Sequence, residues 1–182
     1  MNFFDKVLYL LFFIALMFLF FKIFLALLLV ILLLFFFRTW QMKREPNQSV
    51  FAAGALPNPK PDGFYQGSVG FKTSWLGKKF FAENSTGVNV IAVKPKKKSA
   101  NTESASEVDK YPFKTYTGPG LFDEKLFVQK IDYNVKGNPF WIKWILDEIV
   151  QIGPDHYLGK MQLRIIPGLP FSVLYFELKK QL

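Results

Sequence analysis

The hydrophobic positions fall into two regimes. From Val7 to Phe37 the chain is one apolar run, VLYLLFFIALMFLFFKIFLALLLVILLLFFF, interrupted by a single charge at Lys22. A run longer than ~18 apolar residues predicts a membrane-spanning helix, since only a helix satisfies its own backbone groups in hydrocarbon. As a helix it would measure ~46 Å against a hydrocarbon core of ~30 Å, so it must tilt or protrude. Lys22 then snorkels toward an interface or meets a partner carboxylate. After Phe37 the pattern changes to short apolar segments separated by turn residues. These predict eight strands, at 63–69, 74–81, 88–93, 111–117, 126–133, 145–152, 157–166 and 171–179. The seventh is the clearest: Met161, Leu163 and Ile165 alternate with Lys160, Gln162 and Arg164, which predicts one buried and one wet face.

Short connections between the later strands, Gly153-Pro154-Asp155-His156 and Pro167-Gly168-Leu169-Pro170, imply antiparallel neighbours. The fold expected is therefore mainly β: a transmembrane helix followed by an antiparallel barrel of about eight strands, whose interior can hold one small ligand. The expected organisation is a flank and anchor over 1–37, a linker over 38–61 containing four prolines, and a barrel domain over 62–182. Within the barrel, the polar stretch 94–110 is expected to be a mobile loop.

A cleaved signal peptide fits poorly, because the small residues Ala52 to Ala55 lie well beyond the span and behind Arg38, Lys43 and Arg44. The anchor is expected to stay attached. Those three cations, outnumbering Lys6 on the other flank, place the C-terminal domain in the cytosol by the positive-inside rule. Together with Trp141 they are the residues expected at the membrane interface.

Composition then narrows the chemistry. The chain has no cysteine, which excludes disulfides, thiolate metal sites and cysteine nucleophiles. A single histidine, His156, excludes multi-histidine metal centres; it follows a tight-turn sequence and reads as a solvated residue rather than a haem ligand. The net charge of +9 lies mostly outside the span, which suits an anionic leaflet. The lysine cluster at 94–98 lacks interleaved aromatics, so nucleic acid is not expected as a partner. Gly118-Pro119-Gly120 lacks the ending of a phosphate loop. No catalytic constellation, metal site or cofactor is indicated.

The aromatic residues Tyr65, Trp75, Tyr133, Trp144 and Tyr157 are candidates to line a cavity, or else to fill the core. Asp147 and Glu148 are adjacent and so face opposite sides of a strand; one of them, with Glu148 the cavity candidate, is expected to point inward against Arg164. The segment Pro139 to Leu146 suits a lid, an interfacial element or a core-packed strand entry.

The succession Asp62-Gly63-Phe64-Tyr65-Gln66-Gly67, Trp75-Leu76-Gly77-Lys78-Lys79-Phe80, Asp147-Glu148-Ile149-Val150 and Tyr157-Leu158-Gly159-Lys160 resembles small calycin-like (lipocalin-like) barrels. It is also similar to bacterial proteins with a Gly-x-Trp-x-Gly pattern, with Tyr65 standing where that pattern has Trp. The resemblance implies a hydrophobic-ligand barrel and no reaction. The function expected is a membrane-tethered binding protein for a hydrophobic or lipid-like molecule. The alternatives are a filled barrel serving protein interaction and an enzyme acting on a lipid-like substrate.

Overall fold

The computed structural model describes residues 2–93 and 106–180. They form two compact units, one ending at Arg38 and one beginning at Thr39. The first consists of most of helix α1 (Phe3–Met42), which is long and apolar enough to cross a membrane. Its side chains are apolar on all sides and exposed, the pattern of a helix whose solvent is lipid.

The second unit is a closed antiparallel barrel in which each strand pairs with the next and β8 pairs with β1. The strands are β1 (Gly63–Val69), β2 (Trp75–Phe81), β3 (Thr86–Val93), β4 (Ser106–Pro119), β5 (Phe127–Asp132), β6 (Ile145–Gly153), β7 (His156–Ile166) and β8 (Leu169–Lys180). Closure runs from Tyr65 opposite Lys180 to Val69 opposite Phe176 and leaves no free sheet edge. The expected mobile loop divides differently: 106–110 belong to β4, and 94–105 lie outside the described residues.

From Thr39 on, the stretch expected to be a linker belongs to the barrel unit. Its low periodicity reflects a single helix of eight residues, α2 (Pro46–Ala53), with proline in the first turn, where no N–H is needed. Phe51 from α2 is completely buried and meets Tyr175, Val128, Val150 and Leu158 on the outer barrel wall. The last turn of α1 joins this layer: the Ser172 N–H donates to Thr39 Oγ1 at 3.1 Å and the Tyr175 hydroxyl to the Met42 carbonyl at 3.3 Å. Beyond α2, Ala55 and Gln151 exchange backbone hydrogen bonds of 3.0 and 2.7 Å. This cover changes the character of β7. Lys160 and Gln162 face outward, as the alternation predicts, but both are buried rather than wet.

Inside, one half of the barrel is solid. Tyr65, Phe80, Phe113, Tyr157 and Leu178 fill the end that carries the β2–β3 and β6–β7 turns. Tyr65 stacks edge-on against Tyr157 at 5.3 Å and Phe80 at 5.8 Å.

A cavity with a charged floor

The other half of the barrel is hollow. A cavity of about 390 Å³ opens at the end bearing the β1–β2 and β5–β6 loops. Its walls are apolar, formed by Val69, Ile91, Ile145, Met161, Leu174 and Phe176 among others. Two glycines create the space for its aromatic side. A Cβ at Gly67 would lie 2.3 Å from the Trp75 ring, and one at Gly159 would lie 2.1 Å from the Phe176 ring. The two rings therefore lie flush against bare backbone and meet each other edge-on at 5.6 Å.

The floor is polar. The Lys78 ammonium donates to Asp147 Oδ2 at 2.9 Å, to Asn89 Oδ1 at 3.1 Å and to the Tyr133 hydroxyl. Asn89 is itself fixed: its Nδ2 donates to the Tyr133 hydroxyl at 3.0 Å and the Tyr111 carbonyl at 3.3 Å, while Trp75 Nε1 donates to its Oδ1 at 3.0 Å. The rings of Trp75, Tyr133, Phe113 and Phe176 surround the ammonium, with centroids 5.1–5.6 Å from Nζ. Lys78 is only 3% exposed. Burial lowers its pKa, opposed by the adjacent Asp147 carboxylate. Burial and the same carboxylate push the Tyr133 phenol well up, so it stays protonated. Among the described residues nothing pairs with Asp147 Oδ1, which is buried.

Trp75 and Tyr133 line this cavity. Tyr65 and Tyr157 lie in the solid half; the Tyr65 hydroxyl donates to Asp155 at 2.9 Å, and burial raises both phenols. Trp144 sits in the short 3₁₀ turn before β6, its ring 5.2 Å from Phe140, while Ile142 and Ile145 beside it face the cavity. Asp147 is the inward member of its pair, and its partner is Lys78 rather than Arg164.

Glu148 and Arg164 belong to the outer wall. Glu148 accepts from the Leu121 N–H at 2.7 Å and from Gln162 at 3.4 Å, with Lys130 at 3.9 Å; burial nevertheless raises its pKa. Arg164 binds Asp132 at 2.7 Å. His156 pairs with Glu177 at 3.0 Å. Of the residues expected at a membrane interface, Trp141 is exposed beside the cavity mouth. Lys43 lies over the Phe122 ring at 4.9 Å and Arg44 over the Trp40 ring at 3.8 Å. Arg38 ends the first unit. Among the described residues no cluster of His, Cys, Asp or Glu is suited to a metal ion.

Sequence reasoning missed Lys78 and Asn89 as cavity residues. Lys78-Lys79 looks like an ordinary surface pair, and a β-bulge between Trp75 and Gly77 turns both Trp75 and Lys78 inward although they are three residues apart. The one available signal was the two-residue spacing from Lys78 to the core residue Phe80.

No protein-family profile and no curated protein matches the chain. Among solved structures, the chain is similar to a protein from Thermomonospora curvata, at 16% identity over 74% of this chain and 85% of that one, with a TM-score of 0.48.

Proposed function

We propose that the protein is a calycin-like, membrane-tethered binding protein for a hydrophobic small molecule carrying one polar group. The observation that carries this reading is the apolar cavity of about 390 Å³ ending on the Lys78–Asp147–Tyr133–Asn89 floor. Small-molecule sites have this character: concave, mostly apolar, with a few placed polar groups, and of ~300–1,000 Å³. Removing apolar ligand surface from water at ~25 cal/mol per Å² supplies the affinity. The floor supplies orientation. A barrel used only for protein contacts would have no need of this volume.

The tether is the N-terminal helix, and the positive flank of Arg38, Lys43 and Arg44 supports a barrel on the cytosolic side. Phe71 lines the cavity and Phe140 and Trp141 immediately precede its lining residue Ile142; 61%, 62% and 54% exposed, these aromatic side chains suit lipid headgroups. A ligand held in the bilayer would thereby meet the barrel at raised local concentration.

Native mass spectrometry of the full-length protein, purified in mild detergent from its own source, tests the reading. A co-purifying small apolar compound, displaced when the cavity is filled by Leu174→Trp, is the expected result. Protein that carries no such compound and takes none up from extracted lipids would overturn it.

A further inference from the structure

Orienting one polar group of an apolar ligand needs a hydrogen-bonding floor but not a buried ion pair. A buried ion pair gains little over apolar side chains of the same volume, so Lys78 and Asp147 are not accounted for by stability. Their surroundings supply what an amine needs to react with a carbonyl group. The Nζ atom lies at the inner end of a mostly apolar cavity, among four aromatic rings. A carboxylate stands 2.9 Å away, close enough to take and return its proton. Tyr133 and Asn89 complete the set with hydrogen-bonding groups held in fixed orientation.

We infer that Lys78 forms an imine with an apolar aldehyde or ketone bound in the cavity. The inference rests on the cavity being a ligand site. The ammonium first passes a proton to Asp147, which leaves the net charge of the pair unchanged; burial, which lowers the Lys78 pKa against the pull of the carboxylate, eases this transfer. The neutral nitrogen attacks the carbonyl carbon, and the carbonyl π electrons move to oxygen. The oxygen then takes a proton from nitrogen, giving a carbinolamine. Asp147 returns its proton to the new hydroxyl, the C–O bond breaks, water leaves, and the nitrogen lone pair forms the C=N bond. The product is a protonated imine facing the Asp147 carboxylate, so the ion pair is restored with the charges it began with. One water is released and nothing is oxidised or reduced. Hydrolysis runs the same steps backward and frees the ligand.

The test uses the full-length protein in detergent with 2-naphthaldehyde, sodium borohydride to trap any imine as a secondary amine, and peptide mapping. The expected result is an adduct on Lys78 with exposed lysines such as Lys114 at least tenfold less modified. Excess 2-naphthalenemethanol, the same skeleton without the carbonyl, should suppress the adduct. Lys78→Arg should abolish the adduct, and naphthalenemethanol binding to the wild type is read by tryptophan fluorescence. Adducts confined to exposed lysines, with naphthalenemethanol still binding at one site, would overturn the imine and leave the cavity reading standing. If neither compound binds, both readings fall. The wild-type peptide map decides the matter even if the arginine variant does not fold.

Discussion

Lys78 on β2 and Asp147 on β6 belong to strands four apart in an eight-stranded barrel, so their 2.9 Å contact crosses the lumen. The pair is a strut between opposite walls. It stands between the solid aromatic half and the hollow half, and it limits how deep a ligand can reach.

Breaking the strut on one side should be costly and breaking it on both sides cheap. Asp147→Leu strands a buried ammonium and is expected to cost about 3–5 kcal/mol. Lys78→Met combined with Asp147→Leu should cost less than that single change. Denaturant unfolding of the full chain in detergent, followed by circular dichroism, measures the difference. A double variant as unstable as the sum of the two singles would show that the pair does not act as a unit.

The glycines that receive the cavity rings give a second expectation. A methyl group at Gly67 or Gly159 meets the far edge of Trp75 or Phe176, both of which line the cavity. Gly67→Ala and Gly159→Ala are expected to cost about 1–3 kcal/mol as overpacking. They should also weaken binding of an apolar fluorophore about tenfold or more. Unchanged fluorophore titrations would place the bound molecule elsewhere.

Glu148 sets a pH dependence. Burial raises its pKa in the folded state above the ordinary value of 4.5, despite Lys130, the Leu121 N–H and Gln162 beside it. Its contribution to stability is therefore fully present below pH 4.5 and is lost as pH rises through the folded pKa. Glu148→Gln keeps an acceptor for Leu121 and removes the titration. The stability of wild type relative to this variant should fall as pH rises through that window. A flat difference between the two unfolding curves would contradict the assignment.

The absence of cysteine gives a direct route to orientation. Lys136→Cys places one thiol in the β5–β6 loop. A maleimide that cannot cross membranes should label it in inside-out vesicles and not in intact cells. Labelling in intact cells would put the barrel on the other side.

The barrel was legible because its strands are bounded by unambiguous turns, and because Met161 and Leu163 alternate with Lys160 and Gln162. Period two separates the faces of a strand but does not say which face water reaches. Lys160 points outward and is buried all the same, because Gln48 of α2 and Asp123 of the β4–β5 loop bond its amine at 2.8 Å each. Neither element announces itself: α2 has one buried anchor, Phe51, and Asp123 lies in a loop. The cavity floor was hidden for a related reason. It joins Lys78, Asn89, Tyr133 and Asp147 from separate parts of the chain, and a closed barrel brings such residues together across its lumen, which no local pattern records. Trp75 and Tyr133 were found because large aromatics are conspicuous anywhere; Tyr65 and Tyr157 were conspicuous for the same reason and fill the solid half.

That the hollow half of the barrel takes up an apolar molecule is checked by titrating the full-length protein with N-phenyl-1-naphthylamine. Wild type should bind one equivalent with a rise in probe fluorescence, and Leu174→Trp, which fills the cavity from β8, should abolish it while the protein stays folded. Equal binding by both proteins, or no saturable binding by the wild type, would contradict the claim.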